Sequence, residues 1–351
     1  MSHRPRLFAV TLAALTVLCG ADSPGRPLNL YFIDVMGGAA TLIVTPEGES
    51  LLIDSGWPGL NDRDPTRIEH ILKRVAGREG LDHLATTHWH TDHYGGVAGL
   101  VKRVRIGKFW DRGLPDPAAP DGDKANFPDG PKDDEMGKAY LQASRGRRQS
   151  LKAGDTIPLK GSVSILVLAA SGNVIEIADA PANPLCAAEP EDKAADPSDN
   201  AKSLAFRLRM GKFDFLDCGD LTWNIEKRLV CPKDLIGPID LFQVTHHGMA
   251  TSNHPTLLRT IAPTVTVMDN GPRKGGDAAV VRLLRTIPSV QAAYQLHKNA
   301  ATGPADNTDP NLIANTDPEG GEFIHVSVPP GGEQFTVRIG TGGPSQTFPT
   351  H

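Results

Sequence analysis

The sequence predicts a mixed α and β fold, on three observations. Short β-like runs open the chain: residues 28–35, then 40–45 and 50–54, the last two flanking Pro46-Glu47-Gly48 as a hairpin. Later runs alternate with helical periodicity, as where the stripe Ile68, Ile71, Leu72, Val75 precedes the apolar approach 81–87. Near the end, residues 323–328 and 335–339 form another hairpin pattern around 329–333. Strand pairs followed by strand–helix units suggest two mixed sheets with helices outside, though the pattern alone supports only a mixed α and β domain.

The first helix is expected to start at Asp64-Pro65, with Asp64 accepting backbone N–H bonds and Pro65 in the first turn. Past residue 87, Gly95-Gly96 frees the backbone to bend, and 97–101 starts a helix. Residues 104–110 read as a strand. Residues 111–132 are rich in Pro, Gly and Asp, a long loop of the kind that forms lids or substrate walls. Residues 133–148 read as a helix with Met136, Tyr140 and Leu141 inward, and Arg145, Arg147 and Arg148 as a solvated basic cluster rather than an anion site. Strands at 163–169, 203–210 and 213–218 surround a second flexible stretch, 178–199. Helices at 221–230, from 253, and at 277–285 then alternate with strands at 239–245, 264–268 and 290–296. Residues 299–351 are expected as a polar loop and a hairpin packed on a main domain of residues 28–298.

With 39 % hydrophobic and 22 % charged residues, the balance is that of a globular protein, and 351 residues suffice for one large domain. A net charge of −5 argues against a protein that coats nucleic acid, so no stable nucleic-acid complex is expected. Arg4 and Arg6, the apolar run 7–18 and Cys19-Gly20-Ala21 read as a secretory signal over 1–21. That run is short for a membrane span, so the mature chain is expected to lack one and to be secreted or periplasmic. A lipid anchor at Cys19 fits poorly behind Leu18. Cys186 with Cys231 is the candidate disulfide for an oxidising compartment; Cys218 reads as a small buried side chain.

The chemistry is concentrated in His88-Trp89-His90-Thr91-Asp92-His93. Three imidazoles and a carboxylate in six residues are the nitrogen and oxygen donors that a divalent transition metal prefers. His88 and His90, two apart, point the same way in extended chain. Asp92 and His93 follow as the chain turns and can face a second ion.

This segment resembles the signature of the metallo-β-lactamase-fold hydrolases. Residues 216–220, ending Cys218-Gly219-Asp220, and Thr245-His246-His247-Gly248 stand where that superfamily has later motifs. Asp34-Val35, the Gly-Asp and the His-His-Gly are most similar to the branch holding ComEC-type domains and phosphorylcholine esterases. The resemblance spans residues 28–296 and implies a four-layer αββα sandwich. It implies two divalent ions, zinc foremost with manganese as the alternative. His88 and His90 would hold the first ion, Asp92 and His93 the second, with Asp220 bridging; the competing role for Asp220 is a helix cap. Of the adjacent pair, His246 is assigned to the second ion and His247 to transition-state contact, the reverse assignment staying open. Many members carry a further His between the first cluster and the bridging Asp, but none occurs here from Tyr94 to Thr245. Asp199 or Asn200 are candidates for the missing donor. Asp34 and Asp54 are expected to orient ligand imidazoles or to cap strand ends. His297 reads as a surface histidine.

The implied reaction is hydrolysis by a hydroxide bridging the two ions, with Asp92 orienting the nucleophile and His247 offsetting oxyanion charge. The expected substrate is a phosphoester, either a small molecule or a nucleic acid. A lactone or amide, including β-lactams, is the alternative, and a non-enzymatic metal-binding module is a third reading.

Overall fold

The computed structural model describes Met1 and residues 25–351 except 117, 120, 121, 132, 133 and 189. The expected leader, 1–21, lies apart from Met1 outside the described residues. The chain lays down most of one sheet, crosses to a second, and returns. The first run comprises β1 (Leu28–Phe32), β2 (Thr41–Val44), β3 (Ser50–Ile53), β4 (Gly80–Ala85), β5 (Arg105–Asp111) and β6 (Arg148–Ser150). The second sheet holds β7 (Thr156–Ile157), β8 (Val163–Ala170), β9 (Asn173–Val174), β10 (Ala205–Met210), β11 (Phe213–Asp217), β12 (Leu241–Gln243), β13 (Val265–Met268), β14 (Ala292–His297) and β15 (Ile313–Asn315). Then β16 (Ile324–Val328), β17 (Gln334–Ile339) and β18 (Gln346–Pro349) rejoin the first sheet, in the order β18-β17-β16-β1-β2-β3-β4-β5-β6. The terminal hairpin is therefore part of a sheet rather than packed on one: β16 runs antiparallel to β1, with Leu30 opposite Val326.

The four layers explain why the strands are apolar on both faces. Leu30, Phe32, Ile43, Leu51 and Ile53 point between the sheets, where they meet Phe206, Phe215, Leu241 and Val265. Their neighbours Tyr31, Leu42 and Leu52 point outward to α1 (Arg63–His70), α2 (Thr91–Tyr94), α3 (Val97–Leu100) and α4 (Glu135–Ser144), which supply Ile68, Tyr94, Leu100 and Tyr140. On the far side, Leu216, Phe242 and Met268 face α5 (Trp223–Arg228), α6 (Pro255–Ile261) and α7 (Ala278–Arg285), which supply Leu257, Leu258, Val280 and Leu284. The sequence-level expectation of two mixed sheets with helices outside is met. Among the described residues no helix is long and apolar enough to cross a membrane.

Several local expectations change. Leu60, Asn61 and Asp62 take left-handed backbone and start the first helix early. Asp64 is therefore inside that helix, and its carboxylate accepts the Trp57 N–H (2.9 Å) instead of capping. Gly95 and Gly96 have ordinary helical φ (−63° and −70°). They are small because the chain is crowded: a Cβ on Gly96 would overlap the Ser55 carbonyl. Leu141 is 41 % exposed, one step around the helix from buried Tyr140. Arg147 bonds the Ile106 carbonyl and Arg148 pairs with Asp111, so both are tied to the fold. Cys186 and Cys231 form the disulfide, and Cys218 is buried and free.

Glu226 on α5 is fully buried and accepts the His254 N–H (2.8 Å). Burial pushes its carboxyl up to about 7, against the pull of hydrogen bonds from Thr245, His254 and Asn253. The folded chain holds this proton where the unfolded chain, at 4.5, has lost it. Stability from this group is thus full below pH 4.5, falls as pH rises to about 7, and is level above. Glu226→Gln should remove that fall, worth roughly 3 kcal/mol between the two limits; urea melts at pH 4.5 and 8 check it.

Candidate metal centre

Strand ends of both sheets meet at one edge, the usual place for a site where strands run parallel. Parallel β3, β4 and β5 deliver Asp54 and the 88–93 segment; parallel β11, β12 and β13 deliver Asp220, His246-His247 and Asp269. Thr41 Oγ1 on β2 donates to Gln243 Oε1 on β12 (2.6 Å), pinning one sheet to the other beside this edge.

Two donor sets result. Asp92, His93, Asp220 and His247, all buried, bring one donor atom each to within 4.8 Å of one another. His88, His90 and Asp220 do the same, so Asp220 is common to both. Within the first of these, His93 Nε2 lies 3.2 Å from His247 Nε2 and 3.2 Å from Asp220 Oδ2, and His247 Nε2 lies 3.2 Å from Asp92 Oδ2. Asp220 does not cap the following helix: the cap position is Thr222, and the Asp220 carboxylate faces imidazoles.

The hydrogen bonds behind these donors aim them. Asp54 takes the Thr87 N–H (2.8 Å), the Thr87 hydroxyl (2.7 Å) and His93 Nδ1 (2.7 Å). Its acceptor role fixes the His93 proton on Nδ1 and turns Nε2 inward. Because the Thr87 hydroxyl donates to Asp54, it accepts from His88 Nδ1 (3.0 Å), so His88 Nε2 also presents a lone pair. That Nε2 is buried without a hydrogen-bond partner, 3.8 Å from Asp220 Oδ2. A buried lone pair beside a buried carboxylate is a poor arrangement for hydrogen bonding and a good one for a cation. The residues fit a pair of divalent ions.

Electrostatics agree. Burial raises Asp220, but His93, His247 and His246 outweigh it and hold the carboxyl well below its ordinary value. Asp92 is likewise held down, burial being overcome by His93, His247 and Lys274. Burial lowers His93, yet Asp220, Asp92 and Asp54 carry it well above the usual imidazole value. His247 goes the same way, through Asp220 and Asp269. His88 is pushed well down, by burial and then by His93.

The structure favours the reverse assignment of the adjacent histidines. His247, expected to contact the transition state, is in the set with Asp92 and His93; His246, expected there, is not. The expectation assumed extended chain. Both residues instead have left-handed backbone (φ 55° and 53°), which turns the pair as a tight spiral. Asp199, a candidate donor, is committed elsewhere: Oδ2 accepts the Trp89 N–H (2.7 Å) and the carboxylate pairs with buried Arg112. Asp34 does not orient a ligand imidazole; it bonds His297 Nε2 (2.8 Å) and Arg67. His297 is thus fully buried rather than a surface residue. Asp129, within the 111–132 stretch, places Oδ2 3.1 Å from His90 Nε2.

Sequence reasoning missed Asp269, 3.4 Å from His247 Nδ1, and Lys274, whose ammonium pairs with Asp92 and lies 4.9 Å from the Trp57 ring centre. Asp269 ends a strand in Val267-Met268-Asp269, much as Asp54 does in Leu52-Ile53-Asp54, and that pattern could have found it. Lys274 sits in a Gly- and Pro-rich loop with no periodic signal.

Residues 33–165 match the family model of the metallo-beta-lactamase superfamily. No curated protein sequence matches the chain. Among solved structures, it is similar to CmlA, a diiron β-hydroxylase from Streptomyces venezuelae, at 15 % identity over 70 % of this chain and 45 % of that one (TM-score 0.40). It is similar to a chain named as a metal-dependent hydrolase from Parabacteroides distasonis, at 13 % identity over 76 % and 92 % (TM-score 0.41). It is also similar to the metallo-β-lactamase SMB-1 in complex with mercaptoacetic acid, at 15 % identity over 57 % and 66 % (TM-score 0.32). The chain spans about half the length of the CmlA chains it matches. The two mixed sheets are consistent with the metallo-β-lactamase sandwich, residues 33–165 match that superfamily's model, and the buried donor sets are those of a metal-dependent hydrolase.

Asp54→Ala should lower affinity for the second ion about 10–100-fold, by freeing the His93 ring, while leaving the fold intact; chelator competition reads it. Because His93 and His247 hold protons that the ions must displace, metal affinity should rise with pH across neutrality. Calorimetric titration of the apoprotein in buffers of different ionisation enthalpy measures the protons released.

Proposed function

We propose that the chain is an exported two-metal hydrolase of phosphoesters. The observation that carries the reading is the pair of donor sets meeting on the Asp220 carboxylate. His88, His90 and Asp220 would hold one ion; Asp92, His93, Asp220 and His247 would hold the other. Two such ions supply a water acidified to near neutrality and an electrophilic clamp on the scissile bond.

The chain's own residues do the rest. Asp54 holds the His93 ring rigid through Nδ1, and Asp269 stands behind His247 as a charge partner 3.4 Å from Nδ1, without a hydrogen bond. His247 and Lys274 both meet Asp92 at Oδ2, which fixes that oxygen at the site. Lys274 is one-third exposed at the mouth of the site, where its ammonium can take an anionic substrate oxygen. Concentrated positive charge favours a phosphoester over a neutral lactone or amide. The His246-His247-Gly248 motif and the lack of histidine between Tyr94 and Thr245 support a ComEC-like or phosphorylcholine-esterase-like branch. The net charge of −5 favours a small phosphodiester over a nucleic acid. The Cys186–Cys231 disulfide supports an oxidising compartment outside the cytosol. The nitrogen and oxygen donors suit zinc first and manganese second.

The purified, metal-loaded chain should hydrolyse bis-p-nitrophenyl phosphate, and His90→Ala or Asp220→Ala should abolish this with loss of metal. Turnover of nitrocefin without turnover of the phosphodiester would overturn the substrate class. Lys274→Ala should raise KM for the phosphodiester about tenfold with a smaller change in kcat, as for one lost charge-assisted contact.

A further inference from the structure

We propose that the adjacent histidines divide between the two ions. His246 joins His88, His90 and Asp220 at the first, and the side-chain oxygen of Asn200 completes that site. The proposal rests on the two-metal reading above and answers the absence of a histidine between Tyr94 and Thr245.

The tautomer of His246 is fixed by its surroundings. Ser252 Oγ donates to the Leu221 carbonyl (2.7 Å), so toward His246 Nδ1, 3.1 Å away, it accepts. Thr251 Oγ1, 3.2 Å from the same nitrogen, accepts as well. The ring hydrogen is therefore on Nδ1, and Nε2 presents a lone pair. That lone pair faces Asp220 Oδ2 at 3.5 Å. Two acceptors face each other, as they do at His88 Nε2 and Asp220. Neither nitrogen gains from the carboxylate unless a cation lies between them.

Asn200 is 7 % exposed, and its amide is badly used. Nδ2 reaches His246 Nε2 only at 3.4 Å, a long bond, while Oδ1 is buried with no partner. A half-turn of the terminal amide exchanges the two atoms and sets Oδ1 beside the His246 and Asp220 donors. His246 Nε2 is in neither donor set as it stands, where the Asn200 amide holds it. The half-turn removes that N–H contact, and the His246 ring then swings toward His88 and His90 to join their set.

The position is on the side of the first ion. Asp129 Oδ2 lies 3.1 Å from both His90 Nε2 and the Asp199 N–H, Asp199 takes the Trp89 N–H, and the Leu204 N–H bonds the Thr87 carbonyl (2.9 Å). Residues 199–204 thus run along residues 87–90. Three imidazole nitrogens and two oxygens then surround the first ion, a set within the range of zinc or cobalt.

The test is cobalt(II) titration of the apoprotein, followed by visible absorption and by metal analysis. Wild type should take up two ions. His246→Ala and Asn200→Ala should each lower first-site affinity at least about tenfold while the second ion binds as before; the retained second ion shows that the variants fold. Asn200→Asp, which keeps an oxygen there, should hold the first ion as tightly as wild type or more so. Unchanged first-site affinity in both alanine variants, loss of the second ion instead of the first, or weakening by Asn200→Asp would overturn the proposal while leaving two-metal binding intact. Uptake of fewer than two ions by wild type, or two ions retained by His88→Ala, would instead overturn the two-metal reading and this proposal with it.

Discussion

The Asp220 carboxylate is buried to 2 % exposure amid imidazole nitrogens: His93, His246, His247 and, a little farther, His88. A buried carboxylate is tolerated only when positive charge meets it. Protons on His93 and His247 can supply that charge, and so can metal ions. Every other feature of the site serves this point. The hydrogen bonds of Asp54 and Thr87 turn lone pairs toward Asp220, and Lys274 and Asp269 set the charge on the flanks.

The sandwich makes that convergence possible. Each sheet sends parallel strands to the same edge, and the inter-sheet core around Phe32 and Phe215 holds the two edges together. A displacement of one sheet over the other would separate Asp220 from His88 and His93, which come from different sheets. The disulfide ties the 178–199 stretch to Cys231 after α5, and the Arg112–Asp199 pair with the Trp89 N–H bond to Asp199 ties its end to the site. That stretch is irregular but anchored, as a segment beside a site must be.

Much of this was readable in advance. The His88–His93 cluster announces itself because six residues carry four donors, and local spacing alone brings them together. The resemblance singled out Asp54 and Asp220. What stayed hidden depended on backbone that no periodicity reports. Left-handed turns at His246 and His247 decide which ring enters the second donor set, and left-handed residues at 60–62 move Asp64 from cap to clamp. His297 looked like a surface residue because nothing local shows that Asp34, 263 positions away, waits for it.

The sequence by itself determined a mixed α and β domain, through its strand-pair and strand–helix pattern, and the donor types, through the identity and order of the residues; the layers were an implication of the resemblance. Only the tertiary structure decided which donors stand together, because that depends on contacts between strand ends far apart in the chain. Asn200 shows the difference. Its residue type permits metal binding, but only its burial, with Oδ1 unpaired and Nδ2 in a long contact with His246, gives the proposed chemistry a place.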